Sequence, residues 1–178
     1  MSTVNLVGIV GSLRAGSING ALARAAAGLT PADDVLTLCS VATLPLYNGD
    51  EEAAGPPAEV QALRATIRAA DGIVLFSPEY NGSLPAVTKN VIDWMSRDAS
   101  AWEGVGITMV TMSPGGRAGI GARDHFSAIM QRQAPRLFDT LGFGNSAARL
   151  DEAGEVTESA TLAELADFLV RFADHCRS

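Results

Sequence analysis

Apolar residues in this chain fall into short blocks that alternate between two periods. Residues 4–10 (VNLVGIV) form a nearly unbroken apolar run with several β-branched members. Such a run predicts a strand covered on both faces. Residues 18–29 instead repeat at helical spacing, with Ile18, Leu22, Ala25, Ala26 and Leu29 on one face. A second strand is expected at 34–40. A loop follows, in which Pro45, Asn48 and Gly49 act as breakers. Pro56 and Pro57 open a helix whose buried face carries Val60, Leu63 and Ile67, and Asp71-Gly72 is expected to end it. The pattern then predicts a strand at 73–77, a helix at 84–96, a strand at 104–113 and a helix at about 122–133. A fifth strand is expected within 137–150. A last helix at 159–176 has Leu162, Leu165, Leu169 and Phe172 as its buried stripe.

Five strands separated by helices predict a parallel sheet with right-handed crossovers. The simplest strand order is 2-1-3-4-5, a flavodoxin-like three-layer α/β sandwich. No repeat or long linker interrupts the pattern, so residues 1–178 read as a single domain. In this topology ligands sit beyond the carboxyl ends of the strands, at the switch between strands one and three.

Composition narrows the classes of partner. The chain has 178 residues and a formal net charge of −7, with a pI near 4.7. Nucleic acid and anionic membrane surfaces demand clustered cations, so neither is expected as a partner. The N-terminus shows no basic segment followed by a long apolar stretch, and VNLVGIV is too short to span a bilayer. Cys39 and Cys176 have no metal or redox spacing. Cys39 reads as a small buried hydrophobe at a strand end. These features give the expectation of a cytoplasmic protein. No metal cluster and no Ser-His-Asp set is apparent, so no metal ligand and no catalytic side chain is assigned.

Three loops on the predicted ligand edge carry the candidate chemistry. GSLRAGSIN (11–19) links the first strand to the first helix. Its hydroxyls, its backbone amides and the helix N-terminus suit a phosphate. Gly11 and Gly16 have the Walker spacing, but Ser17 and Ile18 stand where that motif needs Lys and Ser/Thr. The dinucleotide G-x-G-x-x-G pattern is absent as well. A terminal monophosphate therefore fits better, with Arg14 as its charge and Ser12, Ser17 and Asn19 as donors. Gly11 would let a ligand approach the backbone. A tight turn capped by Ser17 or Asn19 is the plainer alternative. SPEYNGSLP (77–85) joins stiff prolines to an aromatic residue and a glycine, a loop able to cradle a flat heterocycle. SPGGRAGIG (113–121) offers accessible backbone, or else a flexible connection.

The segments GSLRAGSIN, LPLYN (44–48), SPEYNGSLPAVTKNVIDW (77–94) and SPGG (113–116) occur in an order that resembles the NAD(P)H-dependent FMN reductase family, which includes chromate and quinone reductases. The resemblance spans residues 4 to about 130. It implies that Ser12, Arg14, Ser17 and Asn19, with Ile18 among them, hold the phosphate of FMN. It implies that Pro78, Glu79, Tyr80, Asn81 and Gly82 line the isoalloxazine ring, and that Ser113 and Gly115 close its other side. NADPH or NADH would be the co-substrate. A quinone, a free flavin or a metal oxyanion would be the small-molecule acceptor. A homodimer or homotetramer is implied too, with Trp94, Met95 and Trp102 expected in the subunit contact rather than in the core. Two departures stand out. Gly20 occupies a position where many relatives carry Arg, and Asp124 and His125 stand where uncharged residues are common. Lys89 and Asp93, four apart on one helix, are expected to pair. The rival function is a non-enzymatic flavodoxin-type electron carrier. It is disfavoured because Arg14 replaces the Thr/Ser-rich loop of that class and Tyr80 is the one clear ring aromatic. A flavin-free regulator is the third reading.

Overall fold

The computed structural model describes residues 2–133 and 136–178. Five parallel strands lie in the order β2-β1-β3-β4-β5. They are β1 (Asn5–Val10), β2 (Val35–Cys39), β3 (Gly72–Phe76), β4 (Gly106–Met112) and β5 (Leu141–Phe143). The helices are α1 (Ile18–Leu29), α2 (Gly49–Ala54), α3 (Ala58–Arg68), α4 (Ala86–Met95), α5 (Ile120–Met130) and α6 (Ser159–Arg177). β3 and β4 are buried along their whole length. This explains their continuous apolar sequence, since helices cover both faces of a parallel sheet.

Strand alternation divides the core into two layers. Val7, Ile9, Ile73, Leu75, Ile107 and Met109 face α3, α4 and α5. Leu6, Val74, Phe76, Val110 and Met112 face α1 and α6. Trp94 and Met95 are fully buried in the first layer with Trp102 beside them. This corrects the expectation of a subunit contact: the three side chains are enclosed within the chain's own core and have no face left for a partner.

Three local readings are corrected. Residues 49–54, expected to be loop, form α2. Asn48 caps this helix, its Oδ1 accepting from the Asp50 amide at 3.0 Å. Asp50, Glu51 and Glu52 then complement the positive end of the helix. Gly72 does not end α3, which stops at Arg68; it opens β3. A Cβ at Gly72 would lie 2.5 Å from Cys176 Sγ and 2.9 Å from the Phe172 ring. The glycine is there to let α6 cross the sheet. Cys39 is half-buried at the end of β2 rather than fully enclosed. Lys89 and Asp93 form the expected intrahelical ion pair.

Candidate functional site

Loop 11–17 leaves β1 where β3 also ends, and the Gly11 amide donates to Phe76 O at 2.8 Å. A Cβ on Gly11 would overlap Thr88 Oγ1 and come within 2.8 Å of Ser77 Oγ. Those two hydroxyls are themselves bonded at 2.8 Å. The glycine therefore admits α4, not a ligand, which corrects the role expected of it. The chain then turns through a Ser17 N–H bond to Arg14 O at 3.1 Å, and Ser17 Oγ caps α1 by accepting from Gly20 N at 3.1 Å. Among the described residues no protein acceptor meets the amides of Ile18 and Asn19. These are the donors that a helix N-terminus leaves for an anion.

Asn19 has a second task. Its Nδ2 donates to Met112 O at 3.0 Å and its Oδ1 accepts from Met112 N at 2.8 Å. Its side-chain amide is thus engaged at the end of β4, and the group it turns to a phosphate is its backbone N–H. Ser12 and Ser17 retain hydroxyl protons to donate.

The second loop is a tight hairpin. Tyr80 and Ser83 exchange backbone bonds of 3.0 Å each. Between them Asn81 (φ 52°) and Gly82 (φ 74°) are both left-handed. That is the backbone of a type I′ turn, for which Asn-Gly is the favoured pair. Glu79 does not simply line a ring. Its Oε2 accepts from Gly121 N at 2.7 Å and Ala122 N at 3.3 Å, which caps α5 from another loop. Gly121 has no room for a Cβ, because Gly82 O would lie 2.5 Å away.

The third loop is tied down. Ser113 N bonds Phe143 O at 2.9 Å, and Ser113 Oγ donates to Gly115 O, also at 2.9 Å. Thr111 Oγ1 donates to Ala118 O at 2.6 Å, where Ala118 (φ 53°) and Gly119 (φ 70°) turn the chain into α5. Arg123 folds back under Gly142, with its NH1 group 3.4 Å from Thr140 Oγ1.

These three loops enclose a cleft of about 430 Å³. Ser12, Arg14, Ser17, Ile18 and Asn19 form one wall, Pro78, Glu79 and Tyr80 another, and Ser113 a third, joined by Met112 and Pro114. Asn81, Gly82 and Gly115 are not on its wall. The first two form the outer tip of the hairpin, and the Gly115 carbonyl is used by Ser113 and Asn145. Arg14 is the one cation in the cleft, is exposed, and forms no ion pair among the described residues. Unpartnered helix amides, two hydroxyls and a free guanidinium make a donor set that fits a phosphate monoester. The cleft beyond them fits a ligand of the size and polarity of FMN.

Three hydrogen bonds join segments more than 40 residues apart and have no local sequence signal. Asn90 Nδ2 and Trp94 Nε1 each donate to Pro45 O at 2.8 Å, and Asn90 Oδ1 accepts from Tyr47 N at 2.8 Å. The LPLYN segment is thereby clamped to α4, which leaves Leu46 74% exposed beside Leu13. His125 Nδ1 and Ser83 Oγ lie 2.8 Å apart at the surface, off the wall of the cleft. Among the described residues no helix is long and apolar enough to cross a membrane, and no group of three or more His, Cys, Asp or Glu side chains is placed to hold a metal.

A family model described as NADPH-dependent FMN reductase matches residues 4–146. A quinone reductase of Escherichia coli (strain K12) is 36% identical over 177 residues, which covers 96% of this chain and 94% of that protein. An NAD(P)H-dependent FMN reductase of Pseudomonas aeruginosa is 46% identical over 94 residues, 53% of this chain and 51% of that one. Among solved structures, the flavoenzyme NAD(P)H:(acceptor) oxidoreductase FerB from Paracoccus denitrificans superposes with a TM-score of 0.85. It is 27% identical, and the match covers 98% of this chain and 97% of that one.

Proposed function

The chain belongs to the NADPH-dependent FMN reductase family, and from that premise we propose that it is a quinone reductase whose phosphate anchor is the α1 N-terminus with Arg14. It is an oxidoreductase that uses FMN with NAD(P)H as co-substrate. When bound, FMN would supply the two-electron chemistry between NAD(P)H and the acceptor. The residues of this chain bind and orient. The amides of Ile18 and Asn19, the hydroxyls of Ser12 and Ser17, and Arg14 would hold the phosphate. Pro78 to Tyr80 and Ser113 would flank the ring. Glu79 holds the hairpin against α5, so the wall of the cleft is built before any ligand arrives.

The observation that carries this reading is the meeting, across one cleft, of the Tyr80 hairpin with Arg14 and two α1 amides that have no partner among the described residues. The rim favours a flat acceptor, because the Tyr80 ring on the cleft wall is 46% exposed and offers its face for stacking. The homo-oligomer and the cytoplasmic setting are part of the same proposal. Light scattering tests the first.

The test of function is anaerobic addition of NADPH to the FMN-loaded protein. Flavin absorbance should bleach, then return when 1,4-benzoquinone is added, and turnover should continue with no partner protein. An unbleached flavin refutes the reductase reading. Bleaching without reoxidation refutes the quinone.

A further inference from the structure

NAD(P)H is larger than FMN, and a cleft that holds FMN leaves the adenosine half of the dinucleotide to find its own surface. A second cleft, of about 320 Å³, lies on the opposite side of loop 11–14. It opens at the carboxyl ends of β1 and β2, where ligands of open α/β sheets bind. Ser12 and Arg14 line both clefts, so the two flank one stretch of backbone.

The chemistry of the second cleft is that of a nucleoside phosphate. Leu13, Leu38 and Val41 provide apolar walls, and Leu13 and Leu38 are 59% and 40% exposed. Hydroxyls of Ser12 and Ser40 stand on its edge, and Arg14 supplies the cation. Among the described residues no carboxylate lines it, although the chain has 20 acidic residues against 13 basic ones. Apolar walls suit the faces of a purine. The guanidinium has five N–H donors, enough to address a phosphate on each side of the loop.

We propose that this cleft is the adenosine subsite of NAD(P)H, with a phosphate of the dinucleotide at Arg14. The proposal rests on the reductase reading and adds where the part of the co-substrate remote from the chemistry is held. Binding energy gained there positions the nicotinamide without touching it.

The experiment uses the FMN-loaded protein and compares NADPH with reduced nicotinamide mononucleotide, which lacks adenosine. Adenosine 2′,5′-bisphosphate should inhibit competitively against NADPH and leave turnover of the mononucleotide unchanged. Leu38→Glu places a negative charge in the cleft. It should raise KM for NADPH about tenfold, as expected for the loss of one charge-assisted contact. kcat, FMN retention and KM for the mononucleotide should stay as they are. Leu38→Lys, equally bulky and polar, should not raise KM for NADPH. Should Leu38→Glu fail to fold, Ser40→Glu on the exposed loop makes the same test. Equal effects on NADPH and the mononucleotide, no effect on either, or a rise confined to the KM of the quinone would overturn the proposal. A wild-type protein that NADPH does not reduce removes the function and this subsite together. A reducible protein with an unchanged NADPH KM in the Glu variants removes the subsite alone.

Discussion

Asn19 grips both backbone groups of Met112, donating to its carbonyl at 3.0 Å and accepting from its amide at 2.8 Å. β3 ends at Phe76, opposite Val110, so Met112 has no strand on that side to pair with. The Asn19 side chain takes the place of the missing strand. It joins the first turn of α1, where the phosphate would sit, to the loop that forms the far wall of the cleft.

Asn19→Ala removes that substitute strand and leaves two buried backbone groups unpaired, each costing about 1–3 kcal/mol. Denaturant unfolding should show the loss in the FMN-free protein. FMN affinity should fall as well, because the Ser113 wall loses its reference to α1. A variant with unchanged stability and unchanged affinity would show that the contact is idle.

Arg14→Ala should act in the opposite way, on the ligand and not on the fold. The side chain is exposed and forms no ion pair among the described residues. A charge-assisted contact to phosphate is worth about 1.5–3 kcal/mol, roughly a ten- to hundredfold loss of FMN affinity. The melting temperature of the FMN-free protein should not move. Titration of flavin fluorescence measures the affinity, and a curve identical to wild type would remove the charge role of Arg14.

Gly11→Ala drives a methyl group into the Ser77–Thr88 hydroxyl pair. Overpacking of this kind costs about 1–3 kcal/mol. Thr88→Ala in the same chain should recover part of the loss. A double-mutant cycle reads the coupling directly, and additive effects would place the strain elsewhere.

Burial pushes the Cys176 thiol up to about 12. In the unfolded chain the ordinary value is about 8.5. Between these values only the unfolded state gives up the proton, so stability present below that range is lost as pH rises. Unfolding free energy should fall more steeply between pH 8 and pH 10 in wild type than in Cys176→Ala. Equal slopes would mean that the thiol titrates alike in both states. Cys39, half-buried, should react with a thiol reagent in the folded protein before Cys176 does.

Much of the site was legible in the sequence because its signals are local. The missing Walker lysine, the hydroxyl-rich loop and the proline-flanked loop of Tyr80 each lie within a few residues, and each takes the expected place at the carboxyl edge of the sheet. The order 2-1-3-4-5 followed from alternating periods and one handedness rule. The helix at 49–54 was missed although its signal was present, since Asn48 followed by three acids is a start signal that Gly49 concealed as a breaker. Other roles had no local signal. Asn19 and Met112 are 93 residues apart, and Glu79 caps a helix whose amides lie 42 and 43 residues on.

The sequence by itself determined the layers, the ligand edge and the residue types that converge there, because hydrophobic period and turn chemistry are properties of neighbouring residues. The tertiary structure decided which polar groups remain free to meet a ligand. Asn19 and Glu79 spend their side chains on distant backbone, while Arg14 and the amides of Ile18 and Asn19 find no partner among the described residues. That division depends on where each strand ends relative to the next, and strand register is settled only when the whole sheet is assembled.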